Sequence, residues 1–64
     1  MSTQAFDYLT KEIDKLRYDQ AIFLIGGGAK DFAEYRHVCG IIRGLIHAET
    51  LIADLVRKVE HSDD

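Results

Sequence analysis

The chain has 64 residues and no proline, and three of its five glycines stand together at Gly26, Gly27 and Gly28. That leaves one strong break. Interior glycine costs a helix about 1 kcal/mol per position, and glycine is also the preferred residue at a left-handed C-terminal cap. On both sides of the triplet, apolar residues recur at alternating intervals of three and four, the period of an amphipathic helix. The chain therefore reads as a single all-α domain over 1–64. It has a helix over 3–25, a glycine-rich turn over 26–30, a helix over 31–60 and a short acidic tail. At about 1.5 Å per residue these helices span roughly 33 Å and 43 Å. A short connection folds them into an antiparallel helical hairpin. Ser2 or Thr3 offers an N-cap oxygen to the first helix. Asp31 followed by Glu34 has the form of a capping box for the second. Asp7 with Lys11 and Asp14 with Arg17 have the spacing of helix-surface ion pairs, each contributing a few tenths of a kcal/mol.

The second helix carries more apolar surface than one neighbour can cover. Val38, Ile41, Leu45, Ala48, Ile52, Leu55 and Val59 form a heptad seam, and Tyr35, Cys39, Ile42, Ile46, Ala53 and Val56 lie beside it. In the first helix Phe6, Leu9, Ile13, Leu16 and Phe23 keep the same spacing, with Gln20 at the remaining seam position. Residues 21–25 are apolar without interruption, which reads as a helix end buried on all sides. A helix apolar over most of its circumference needs more than one packed neighbour. A domain of this size buries only about 60% of its unfolded surface. Small folds make up the difference with disulfides, a metal or oligomerisation. Cys39 is the only cysteine, which excludes an intrachain disulfide, and it reads as a reduced packing residue. No Cys/His cluster has zinc-ligand spacing.

Self-association remains, as a four-helix-bundle homodimer or a larger oligomer. The first-helix seam is expected to pack on one face of the second. Tyr35, Cys39, Gly40, Ile42, Gly44 and Ile46 are expected to mediate assembly, Gly40 and Gly44 allowing a second helix to approach closely. The sequence leaves open which face is intramolecular.

Charge and motif narrow the function classes. The composition is 47% hydrophobic and 30% charged, that of a folded chain, with net charge -3. An acidic balance disfavours extended phosphate binding. One strip, Arg36, Arg43, His47, Thr50, Asp54 and Arg57, is mostly basic. It reads as an ordinary solvated face, with a nucleic-acid or acidic-partner surface as the alternative. No 18-residue uncharged apolar run suggests a membrane span, and the N-terminus lacks the basic-then-apolar order of a secretory signal. The Gly-Gly-Gly-Ala-Lys stretch lacks the spaced second glycine, the hydroxyl residue and the strand context of a phosphate loop. His37, His47 and His61 are too dispersed for a metal site, and no catalytic set assembles on one hairpin. The expectation is a non-enzyme without cofactor or metal, whose partners are itself and other proteins.

Asp31, Tyr35, Cys39, Gly40, Ile42, Gly44 and Leu45 form a pattern that resembles very small helical-hairpin proteins of tailed bacteriophages, mostly over 31–60. The resemblance implies a structural or interaction component of the virion (capsid, neck or connector-associated) or an accessory protein that binds a host protein. It implies synthesis in the host cytoplasm and, for a structural component, a place in the virion, with a capsid, portal or host protein as partner. In plan alone, the hairpin is also similar to the plasmid copy-number protein that binds paired RNA loops, although the motif residues differ.

Overall fold

The computed structural model describes residues 3–61. It holds two helices, α1 (Gln4–Ile25) and α2 (Phe32–His61), and no strand among the described residues. The acidic tail and Ser2 lie outside the described residues.

The glycine triplet closes α1 as a Schellman motif. The Gly28 N–H donates to the Phe23 carbonyl at 2.8 Å and the Gly27 N–H to the Leu24 carbonyl at 3.0 Å, satisfying carbonyls that the helix end leaves unpaired. Gly27 takes φ 78°, a left-handed conformation that costs a residue with a side chain about 1–2 kcal/mol. Gly28 is required for a different reason. A Cβ there would stand 2.5 Å from two carbons of the Phe23 ring and 2.8 Å from its carbonyl oxygen. The Phe23 ring lies over the turn, and only a glycine fits beneath it.

Entry into α2 follows the capping expectation with one shift. The Glu34 N–H donates to Asp31 Oδ1 at 2.8 Å, and Glu34 Oε1 accepts from the backbone N–H of Lys30 at 3.0 Å, one residue earlier than a standard box. At the start of α1, Thr3 occupies the N-cap position but makes no side-chain cap bond; its carbonyl accepts from the Asp7 N–H at 2.9 Å. The Asp14–Arg17 ion pair forms at 3.4 Å, joined by Lys15–Glu12 at 3.0 Å. Asp7 and Lys11 do not pair.

An ion pair ties the two helices together. Arg17 donates to Glu49, whose side chain is mostly covered. The register follows from the grooves between the helices, where Gln20 and Phe23 stand beside Val38 and Glu34, and Arg17 and Ala21 beside Ile42. In that register Ile25 and Phe32, the residues that flank the turn, are level. The extra length of α2 therefore stands at the open end, beyond Gln4. The molecule is a rod of 51 × 16 × 11 Å with a Cα radius of gyration of 15.2 Å, against about 11 Å for a globular chain of this length.

The hairpin contact differs from the expected seams. On α1 the half-buried row is Phe6, Thr10, Ile13, Arg17, Gln20 and Leu24. On α2 it is Val38, Ile42, Leu45, Glu49, Ile52, Val56 and Val59, with Val38 alone fully buried. Both rows keep heptad spacing. Each is rotated by roughly 50° about its helix axis from the most apolar stripe, taking about 100° per residue. Leu9, Leu16 and Phe23 do not pack on α2 but remain exposed, Leu16 at 52%. Ile41 and Leu55 are likewise outside the contact. The run 21–25 is helical as expected, but it is not enclosed by the hairpin: Ile22 and Phe23 are exposed and Ile25 is 81% exposed. The physical reason is the width of the apolar arc. One neighbour selects one edge of it, and here the edge taken is the one where Arg17 and Glu49 meet.

Candidate interaction surface

The two helices leave a groove on either side of their contact. The first is lined by Asp19, Gln20 and Phe23 of α1 and by Glu34, His37 and Val38 of α2. Leu9 and Leu16 are heptad mates of Phe23. Ile41, Ala48 and Leu55 are heptad mates of Glu34, and Gly44 and Leu51 of His37. Since residues seven apart share a face, these apolar positions all border the same groove. The most apolar stripes of α1 and α2 thus tilt towards one side of the hairpin, by similar angles. Leu51, at 69% exposure, is the most prominent side chain in the row. A Cβ built on Gly40 or Gly44 meets nothing within 4 Å. Close approach at these glycines is therefore not used within the hairpin.

The second groove is lined by Asp14, Arg17, Tyr18 and Ala21 with Ile42. Tyr35, Cys39 and Ile46 fall on the α2 flank of this side by helical spacing. The six residues expected to form one assembly face are consequently divided. Tyr35, Cys39 and Ile46 stand together, Ile42 is taken up by the hairpin contact, Gly44 lies towards the first groove, and Gly40, seven residues before His47, lies on the outer side of α2. The signal that separates them is the paired interruption of two heptad rows by charges of opposite sign, Arg17 and Glu49. Beside Tyr35, the Cys39 thiol raises the phenol pKa above its ordinary value of 10.0, through side-chain hydrogen bonding first. The Phe32 and Tyr35 rings stack at 6.2 Å, and the Arg36 guanidinium lies 5.9 Å from the Phe32 ring centre.

The basic strip occupies the outer side of α2, opposite α1. Arg36, Arg43, His47, Thr50 and Arg57 are all exposed. Arg57 pairs with Asp54 of its own helix, and the Thr50 hydroxyl donates to the Ile46 carbonyl at 3.1 Å. Arg36 and Arg43 are left as the strip's outward cations. No cluster of three or more His, Cys, Asp or Glu able to hold a metal occurs among the described residues. No helix over those residues is long and apolar enough to cross a membrane. No family model, curated protein or solved structure matches the chain.

Proposed function

We propose that this chain is a non-enzymatic structural or protein-interaction subunit that works through the first groove and assembles as a four-helix bundle. One observation carries the reading: the apolar stripes of both helices point to the same side, roughly 50° away from the line joining the helices. In a bundle of four, each helix directs its core stripe between two neighbours rather than straight at one. A self-sufficient hairpin has no use for that offset. Surface area supports the same reading. The chain exposes 5143 Å², against about 4,200 Å² for a compact monomer of its 7.3 kDa mass. The difference, roughly 1,000 Å², is comparable to the ~800 Å² that each partner buries in a standard interface.

The setting we propose is a tailed phage, as a virion component near the capsid, neck or connector, or as an accessory protein bound to a host protein. The pattern from Asp31 to Leu45 supports this. Mass spectrometry of purified particles from an infected culture tests it: the peptide at constant stoichiometry places the chain in the virion, and its presence only in the lysate, bound to one host protein, favours the accessory role. Light scattering over a concentration series tests assembly. A mass of two or more chains is expected; a single chain at every concentration refutes the bundle.

A second reading draws on Arg36 and Arg43, which stay outward-facing when the first groove is covered. A nucleic-acid regulator would bind RNA or DNA in a salt-sensitive way, and Arg43→Glu would abolish retention. Absence of retention at low salt excludes it.

A further inference from the structure

Resting on the reading of the first groove as the working surface, we infer that its occupant is a second copy of this chain. The copy sits with its α1 against α2 of the first and its α2 against α1, about a two-fold axis that runs along the rod.

The register between the helices carries this arrangement. With Ile25 and Phe32 level, Leu9 comes level with Ala48, Leu16 with Ile41 and Phe23 with Glu34. These are the heptad rows that border the first groove from its two sides. An axis along the rod keeps every residue at its own height, so Leu9 meets Ala48 of the second copy and Leu16 meets Ile41 of the second copy. The neighbouring rows match in size and charge. Leu51, at 69% exposure, falls within about a residue of the level of Ala5. Gly44, with open space where a side chain would be, falls opposite Glu12, whose carboxylate is already tied to Lys15 at 3.0 Å. His37 falls opposite Asp19, and both line the groove, one from each helix. Large therefore sits on small, and an imidazole N–H faces a carboxylate. The two-fold makes each pairing twice, residue i meeting j while j meets i. The surplus surface, roughly 1,000 Å² per chain, is what one such partner covers.

An axis across the rod does not achieve this. The α1 row centres on Leu16 and the α2 row on Ala48, and their heights differ by about two turns, roughly 10 Å. No single crossing axis passes through both. Placed at Leu16, it sets Ala48 against Glu34 of the second copy and carries Leu55 past the start of that copy's α2. Placed at Ala48, it carries Phe23 past the start of that copy's α1. Either choice matches one row and wastes the other.

Two experiments test this in the full chain, with helicity checked by circular dichroism. The first is a charge exchange. Asp19→Lys and His37→Glu, each alone, should weaken self-association about tenfold, because each dimer carries the mismatch twice. Unfolded in urea, mixed in equal amounts and refolded together, the two variants should form heterodimer well above the one half that random pairing gives, read by native mass spectrometry. In the heterodimer one contact pairs Lys with Glu and the other keeps Asp19 with His37. The second experiment is disulfide trapping in a Cys39→Ser background. A refolded mixture of Leu9→Cys and Ala48→Cys chains should give mixed disulfide on oxidation, while each variant alone should give none, since only contact between α1 and the second copy's α2 brings the sulfurs within bonding range. A dimer that pairs the charge variants at random, or forms disulfide only between identical single-cysteine chains, overturns this arrangement while leaving the bundle standing. A monomer at all concentrations overturns both.

Discussion

Gly40 offers a measurement in which helix propensity acts almost alone. It lies in the interior of α2, is exposed, and has nothing within 4 Å of where a Cβ would go. Gly40→Ala therefore adds no clash and little packing, and removes only the conformational freedom that glycine gives up on entering a helix. The expected gain is about 1 kcal/mol. For a chain of 64 residues, unfolding entropy of about 2.1 cal/mol/K per residue converts this to a rise of roughly 7 °C in Tm. The assay is a thermal melt followed at 222 nm, at one fixed chain concentration, for wild type, Gly40→Ala and Gly44→Ala. Propensity alone predicts equal gains at both sites. A helix seated on Gly44 predicts a smaller gain, or a loss, at that site only. A fall in Tm for Gly40→Ala would refute the reasoning, because it would mean that the open space beside Gly40 is filled in the folded protein.

Gly28→Ala should destabilise the chain by about 1–3 kcal/mol, read as a lower urea midpoint, because the new methyl group runs into the Phe23 ring and carbonyl. Glu49→Ala leaves Arg17 without its interhelix partner at a partly covered site, and should lower stability by about 1 kcal/mol; Arg17→Ala combined with it should cost less than the sum of the two, which a double-mutant cycle measures. Tyr35 holds its phenolic proton more tightly in the folded chain than in the unfolded one, so its contribution to stability is present below pH 10.0 and is lost as pH rises through the raised folded value. Cys39→Ala should remove that alkaline sensitivity, seen as a flatter profile of unfolding midpoint above pH 10.0.

The turn and both helix ends could be read from residue types, because their causes are local. A glycine at positive φ and a carboxylate three residues from another act within a few bonds of the backbone they control. The hairpin contact could not be read in the same way. Leu9, Leu16 and Phe23 are the more apolar row of α1, yet Thr10, Arg17 and Gln20 lie against α2. Arg17 is acceptable there only because Glu49 stands opposite it, and that partnership exists in space and not in sequence spacing. The candidate surface divides for the same reason. By spacing alone Ile42 can serve either contact, and the hairpin takes it, while Gly40 and Gly44 lie on a different side of α2 from Cys39.

The antiparallel course of α1 and α2, with Gln4 and His61 both at the end away from the glycine turn, has a mechanical consequence. Force applied between the two ends of this hairpin acts across the rod and not along it. The helices would peel apart from the open end, each turn of packing failing before the next is loaded, with Arg17–Glu49 reached midway and the glycine turn last. Resistance at any moment comes from a few side chains, however long the helices are. A protein joined this way is a zipper under tension at its ends and a strut under load along its length.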